Sequence, residues 1–173
     1  QHTMPDVPGP EGLDSRAGRL HAVADRLPEA MRADFLRPGP IEIREVDPLD
    51  LFEPVRADDR NHIWFRMAGA VGRPAQVQHI LLAYASDMAL LGSSLRPHGL
   101  TWFRRGEVMK ASLDHALWLH GPLNFANWHL YTMDAPFTGG ARGFNRGSIF
   151  DAQGRLVASV AQEGLMRPVK PRG

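Results

Sequence analysis

The stretch His79–Leu91, HILLAYASDMALL, is apolar on nearly every side of a helical projection, yet a carboxylate, Asp87, sits in its middle. On that projection Asp87 shares a face with Ile80, Tyr84 and Leu91. The spacing predicts a desolvated carboxylate, which must be paired, hydrogen-bonded or shifted in its titration, because an isolated buried charge is costly. A carboxylate held in this way can draw a proton from a weak nucleophile such as water, the work of a general base. Two structural roles stand beside that one: Asp87 caps a break in the helix near Ser86, or it bonds a backbone group of a neighbouring sheet. A second anomaly lies in LVASVAQEGLMR, where a strand puts Leu156, Ala158, Val160, Gln162, Gly164 and Met166 on one face. Gln162 thus points inward among apolar neighbours. Its amide needs partners at both ends, and Asp87 is a ready acceptor for the NH2 group. A glutamine at the sheet rim, bonding the backbone, is the alternative. Glu163 falls on the other face with Val157, Ser159 and Ala161 and is expected to be exposed.

These residues need a scaffold, and the rest of the pattern supplies one. The first eleven residues carry Pro5, Pro8, Pro10 and Gly9 and read as an extended, loosely held linker. From Asp14 onward, Leu20, Val23, Ala24, Leu27 and Met31 fall at helical spacing, with Asp14 or Ser15 as N-cap and Pro28 ending or kinking the helix. IEIREV and NHIWFRMAG read as strands. Pro74 opens the helix that carries Asp87, which runs to about Leu95 before RPHG stops it. Four more strands follow in EVMKASLDHALWLH, NWHLYTMDA, ARGFNRGSIFD and RLVASVAQEGLMR, the last two joined as a hairpin through DAQGR. Two strands, a long apolar helix and four further strands describe an antiparallel sheet wrapped around a central helix, an α+β arrangement.

Composition narrows the partners. At 173 residues and 43% hydrophobic content the chain fits one domain with extensions and a substantial core. No run has the length and apolarity of a membrane span, and QHTMPDVPGPEG lacks the pattern of a signal peptide, so no membrane insertion is expected. A net charge of +1 gives no field to recruit nucleic acid. Zero cysteines exclude disulfides, thiolate metal sites and a cysteine nucleophile, and fit a cytoplasmic location. The chain opens on Gln1 without an initiator methionine, as a processed or truncated piece would.

LLAYASDMALL, RPHGL, ASLDHALWLH, ARGFNRGSIFDAQGRLVASVAQEGLMR and the leading HTMPDVPGPE together resemble the acyl-CoA thioesterase II family, from the linker through to about Arg167. The resemblance implies a hotdog fold, a long helix wrapped by an antiparallel sheet, and specifically the second half of a double hotdog. It divides the chain into an inter-repeat linker with an amphipathic helix at 1–38, a hotdog domain at 39–167 and a tail at 168–173. It further implies that Asp87 of YASDM, Ser112 of ASLDH and Gln162 of VAQEG hold and activate a hydrolytic water, with serine where some members carry threonine. One apparent extra residue separates RPHGL from ASLDH relative to the family pattern. Strict alternation puts Met109, Ala111, Leu113, Leu117 and Leu119 on an apolar face and Ser112 with Lys110, Asp114 and Trp118 on the other. Either a bulge shifts the register near KAS, or the inward face there is the mixed one.

The resemblance implies an acyl-CoA substrate of medium to long chain, cleaved to fatty acid and CoA with no cofactor and no metal. Serine and glutamine do not titrate near neutral pH, which leaves Asp87 as the base, or as a direct nucleophile through an anhydride; backbone N–H groups near a break at Ser86 would polarise the carbonyl. Ser112 as a covalent nucleophile is disfavoured, because no G-x-S-x-G elbow is present and alternation puts His115 on the opposite strand face. His115, His120 and His129 with Asp114 lack metal-ligand spacing. Arg142, Phe144 and Arg146 share a face that suits either the phosphates and adenine of CoA or plain solvent. A hydratase would want a histidine nearer to Asp87 than His79. The rival from another class is a non-catalytic acyl-binding or assembly module, since a half-length chain is expected to pair with a first hotdog repeat or to self-associate as a homo-oligomer.

Overall fold

The computed structural model describes residues 1–27, 29–101 and 108–169. The expected kink at Pro28, most of the loop between RPHGL and ASLDH, and residues 170–173 of the tail lie outside them. In chain order the elements are α1 (Arg16–Ala22), α2 (Glu29–Leu36), β1 (Glu42–Glu45), β2 (Asn61–Arg66), α3 (Ala75–Leu90), α4 (Gly92–Leu95), β3 (Val108–Ser112), β4 (Ala116–Leu119), β5 (His129–Gly139), β6 (Arg142–Asp151) and β7 (Leu156–Pro168). The strands form one antiparallel sheet in the order β1-β2-β5-β6-β7-β3, with β4 also paired to β7. The DAQGR hairpin forms as expected: Asp151 accepts the N–H groups of Gln153 and Arg155, and Gly154 takes the positive φ of 78° that the turn requires.

The sheet curls around α3 and covers one stripe of it. Leu82, Ala85, Ala89 and Leu90 recur at helical spacing and are buried against Ile63, Phe65, Tyr131, Ile149 and Val160. Each fully buried leucine contributes roughly 2 kcal/mol through its burial. The opposite stripe is uncovered: Ile80 is 66% exposed, Tyr84 58% and Met88 48%. A helix apolar all round is therefore not buried all round in this chain, and the expectation of a desolvated Asp87 is overturned, since its side chain is 50% exposed. The sheet has one concave face and can bury only the side of the helix that lies in it.

Past α3 the chain passes through Leu91 into α4, which lies close on the sheet where Gly143 of β6 and Gly164 of β7 pair. A Cβ on Gly164 would fall 2.0 Å from Leu91 Cδ2, so only glycine admits the helix at this height. Asn145, buried beside this pair, accepts from the Ser94 N–H at 3.2 Å and hydroxyl at 2.6 Å and fixes α4 to β6. Gly99, at φ 62°, ends the helical run as the RPHG stop requires.

The N-terminal segment differs from the expectation of a loose linker. Met4, Val7 and Leu13 pack on the outer face of the sheet against Trp64, Leu130 and Phe150. The Trp64 indole donates to the Pro8 carbonyl at 2.8 Å, and Arg44 donates to that of Pro10 at 2.7 Å. Ser15 is the N-cap of α1, accepting from the Gly18 N–H. The single amphipathic helix expected here is broken at Val23, whose φ of −120° is not helical, and a 3-10 turn over 24–26 follows.

Candidate active site

The segment read as one strand, EVMKASLDHALWLH, is two strands separated by a bulge. Ser112 pairs with Gly164 and Ala116 with Ala161, so four steps along β3–β4 match three along β7. The N–H groups of Leu113 and Asp114 both reach the Glu163 carbonyl, at 2.9 and 3.4 Å. Asp114 closes the bulge by accepting the Glu163 N–H at 2.7 Å. Before the bulge the face turned to α3 is the mixed one: Val108 packs on the cluster of Leu91, Leu95 and Met166, and Ser112 reaches Asp87. Met109 and Leu113, 47% and 54% exposed, face away. The second explanation offered for Ser112 holds: β3 pairs in unbroken register through that residue, and the bulge falls after it.

Asp87, Ser112 and Gln162 come together around one atom. The Ser112 hydroxyl donates to Asp87 Oδ1 at 3.2 Å, and the Gln162 Nε2 group donates to the same oxygen. Gln162 is fully buried, as the alternation of β7 requires, and its Oε1 has no hydrogen-bond partner among the described residues. The helix runs unbroken through Ser86 and Asp87, so neither a cap at a break nor N–H groups freed by one exist there; the break lies at Leu91.

His115 corrects the expectation from alternation. The extra residue of the bulge turns it onto the face of Ser112, toward α3, where its Nε2 lies 2.9 Å from Ser86 Oγ and its Nδ1 3.9 Å from Asp87 Oδ1. Behind Ser86 the Tyr131 phenol donates to the Ser86 carbonyl at 3.0 Å. Burial, and after it the charge of Asp87, push the Tyr131 phenol well above its ordinary range, so it stays protonated as a donor.

A cavity of about 670 Å3 reaches Asp87 and Ser112. Leu20 of α1, Phe35 of α2, Leu49 and Leu51 after β1, and Leu91 and Leu95 give it an apolar wall. Arg142 and Arg146 lie elsewhere. Both are exposed, Arg146 in a two-point pair with Asp134 and Arg142 3.6 Å from Glu163. The histidines weighed as ligands are dispersed: His120 bonds Ser159, and buried His129 bonds the Asn127 carbonyl. Among the described residues no group of three or more potential ligands is placed to hold a metal ion. No helix among them is long and apolar enough to cross a membrane.

The chain is similar to known proteins over nearly its whole length. The acyl-CoA thioesterase family model matches residues 40–165. The chain is 33% identical to acyl-CoA thioesterase 2 of Haemophilus influenzae over 167 residues, which cover 96% of this chain and 58% of that protein. It is 35% identical to human acyl-coenzyme A thioesterase 8, covering 99% of this chain and 55% of that one. The chain thus spans a little over half the length of these curated relatives. The crystal structure of the acyl-CoA thioesterase II TesB2 from Mycobacterium marinum superposes with a TM-score of 0.72 at 32% identity, over 99% of this chain and 58% of that one. A protein from Alicyclobacillus acidocaldarius described as having a hot dog fold superposes at 0.65 with 17% identity, over 98% of this chain and 56% of that one, and speaks to the fold alone. A hotdog sheet closed on α3, with the family match across it, establishes that the chain belongs to the acyl-CoA thioesterase family.

Proposed function

We propose that this chain hydrolyses medium- to long-chain fatty acyl-CoA to free fatty acid and CoA, using a water activated by Asp87. The convergence of the Ser112 hydroxyl and the Gln162 amide on a single oxygen of Asp87 carries this reading. Two donors fix the carboxylate through Oδ1, and no described group hydrogen-bonds Oδ2, which is left to take a proton from water. The water's O–H bond breaks toward Asp87 as its oxygen adds to the thioester carbonyl carbon; the C–S bond then breaks with its electron pair on sulfur, and the proton that Asp87 took passes on to sulfur to give the thiol. Neither serine nor glutamine titrates in the working range, so their part is to orient the carboxylate and the water. The apolar wall of the cavity that reaches Asp87 and Ser112 suits an acyl tail.

The coverage of the relatives and the bare stripe of Ile80, Tyr84 and Met88 support placing residues 39–167 as the second hotdog of a double hotdog, behind a linker at 1–38. On this reading the stripe packs against a first repeat or a second copy of the chain. The cysteine-free sequence fits work in the cytoplasm. The same bare stripe favours the second reading, an acyl-binding or assembly module that does not turn over.

Thiol release from decanoyl- and palmitoyl-CoA separates the two. Asp87→Asn keeps the size and the acceptor for Ser112, and is expected to lose about 100-fold or more in turnover with an unchanged circular dichroism spectrum. Full turnover in that variant refutes the base. Acyl-CoA binding and self-association by a wild-type chain without turnover establish the module.

A further inference from the structure

His115 has no part in the reading above, although its surroundings are specific. Ser86 Oγ lies 3.0 Å from the Ala83 carbonyl and 2.9 Å from His115 Nε2. The hydroxyl has one proton, and the carbonyl can only accept. Both contacts are satisfied when the hydroxyl donates to Ala83 and the Nε2–H donates to the hydroxyl. That tautomer leaves Nδ1 of the neutral ring with a lone pair. This Nδ1 is buried, has no hydrogen-bond partner among the described residues, and faces Asp87 Oδ1 across 3.9 Å. Two acceptors opposed in this way repel unless a proton lies between them. A proton on either one turns the gap into a hydrogen bond after a small side-chain rotation, and catalytic contacts commonly tighten in this way once substrate is bound.

The other titratable groups around the ring are committed. Tyr131, from β5, is protonated and bonded to the Ser86 carbonyl. Asp114, the preceding residue, accepts the Glu163 N–H, and the Glu163 side chain is directed to Arg142. Among the described residues, Asp87 of α3 is the carboxylate that faces Nδ1.

We infer that His115 relays the hydrolytic proton, receiving it from Asp87 and delivering it to the departing sulfur, with Ser86 as the positioning residue that fixes the ring's tautomer. The inference rests on the hydrolase reading and extends it to the leaving group. Asp87 takes the proton as the water's O–H bond breaks and the C–O bond forms. The carboxyl then turns about its Cβ–Cγ bond to bring the proton on Oδ2 to Nδ1, which takes it and restores the carboxylate. As the C–S bond breaks, sulfur departs with the bonding pair and takes the proton from Nδ1, leaving free thiol and neutral imidazole. The net change is water and thioester to acid and thiol.

Leaving-group dependence tests this step. The wild-type chain, His115→Gln and Ser86→Ala are assayed on decanoyl-CoA and on the decanoyl ester of 4-nitrothiophenol, whose thiolate departs without a proton. His115→Gln is expected to lose about 100-fold in kcat on decanoyl-CoA, with KM little changed, and less than about threefold on the aryl ester. Ser86→Ala should show a smaller loss with the same selectivity. The ratio of the two substrates within one variant is independent of how much of it is folded, so a merely structural role cannot produce the rescue. Equal loss on both esters, or none on either, overturns the relay while leaving the hydrolase reading intact. A wild-type chain silent on both esters overturns the hydrolase reading and the relay with it.

Discussion

Ser112 and His115 project to the same side of the sheet although they are three positions apart, a spacing that puts side chains on opposite faces of a regular strand. The bulge at Leu113–Asp114 accounts for this, and Asp114 holds it by accepting the Glu163 N–H at 2.7 Å. Asp114→Ala leaves that N–H without its acceptor and is expected to cost about 1 kcal/mol, read as a lower Tm. Turnover should fall as well, because Ser112 and His115 lose their common orientation. Asp114→Asn keeps an acceptor oxygen and should retain most of both. An alanine variant with wild-type Tm and turnover would show that the bulge stands without its side-chain support.

The close seat of α4 on the sheet gives a second expectation. Alanine at Gly164 would put a Cβ 2.0 Å from Leu91 Cδ2, and one or both must move. Overpacking of this kind costs about 1–3 kcal/mol. Leu91→Ala removes the opposing group, so the double variant should be less destabilised than the sum of the single ones in chemical denaturation. Strict additivity would show that the clash is relieved elsewhere.

Acid should weaken the fold from just below neutral pH. His129 is 1% exposed, and burial holds its pKa below the ordinary 6.5, against the opposing pull of its bond to Asn127 and the charge of Asp151. His62 is shifted the same way by burial. Below pH 6.5 the unfolded chain binds protons that the folded one refuses, so stability falls as pH drops from there until the folded values are reached. Urea unfolding at about pH 7.5 and 5.5 should give a lower midpoint at the acid end. In His129→Gln the difference between the two should shrink, whatever that change costs at neutral pH. An undiminished difference would assign the effect to other groups.

The elements were legible because their periodicities are strong. The stripe of Leu82, Ala85, Ala89 and Leu90 defines the helix, and the alternation of β7 correctly turned Gln162 inward. The reason that singles out Asp87 in the sequence does not hold. Its apolar neighbours implied a buried carboxylate, but hydrophobicity records what a surface is suited to meet, and this sheet meets only one side of the helix. His115 was misplaced because pleat counting assumes an unbroken strand. The sequence does carry a hint in Asp114, a strand-averse residue within an apolar run, whose carboxylate serves the bulge. The N-terminal prolines announced an extended segment, as observed, but composition does not reveal that Met4, Val7 and Leu13 have a surface to rest on.

That docked N-terminal strip bears on where the gene can be cut. An expression clone trimmed to residues 40–165, the span the family model matches, would lack Met4, Val7 and Leu13 and lay Trp64, Leu130 and Phe150 bare. It would also lose the Pro8 carbonyl that the Trp64 indole bonds, and the Arg16 and Arg19 guanidinium groups that pair with Glu45. The span that the family model matches and the span that packs together are thus different lines. Cloning that begins ahead of Met4 keeps this packing.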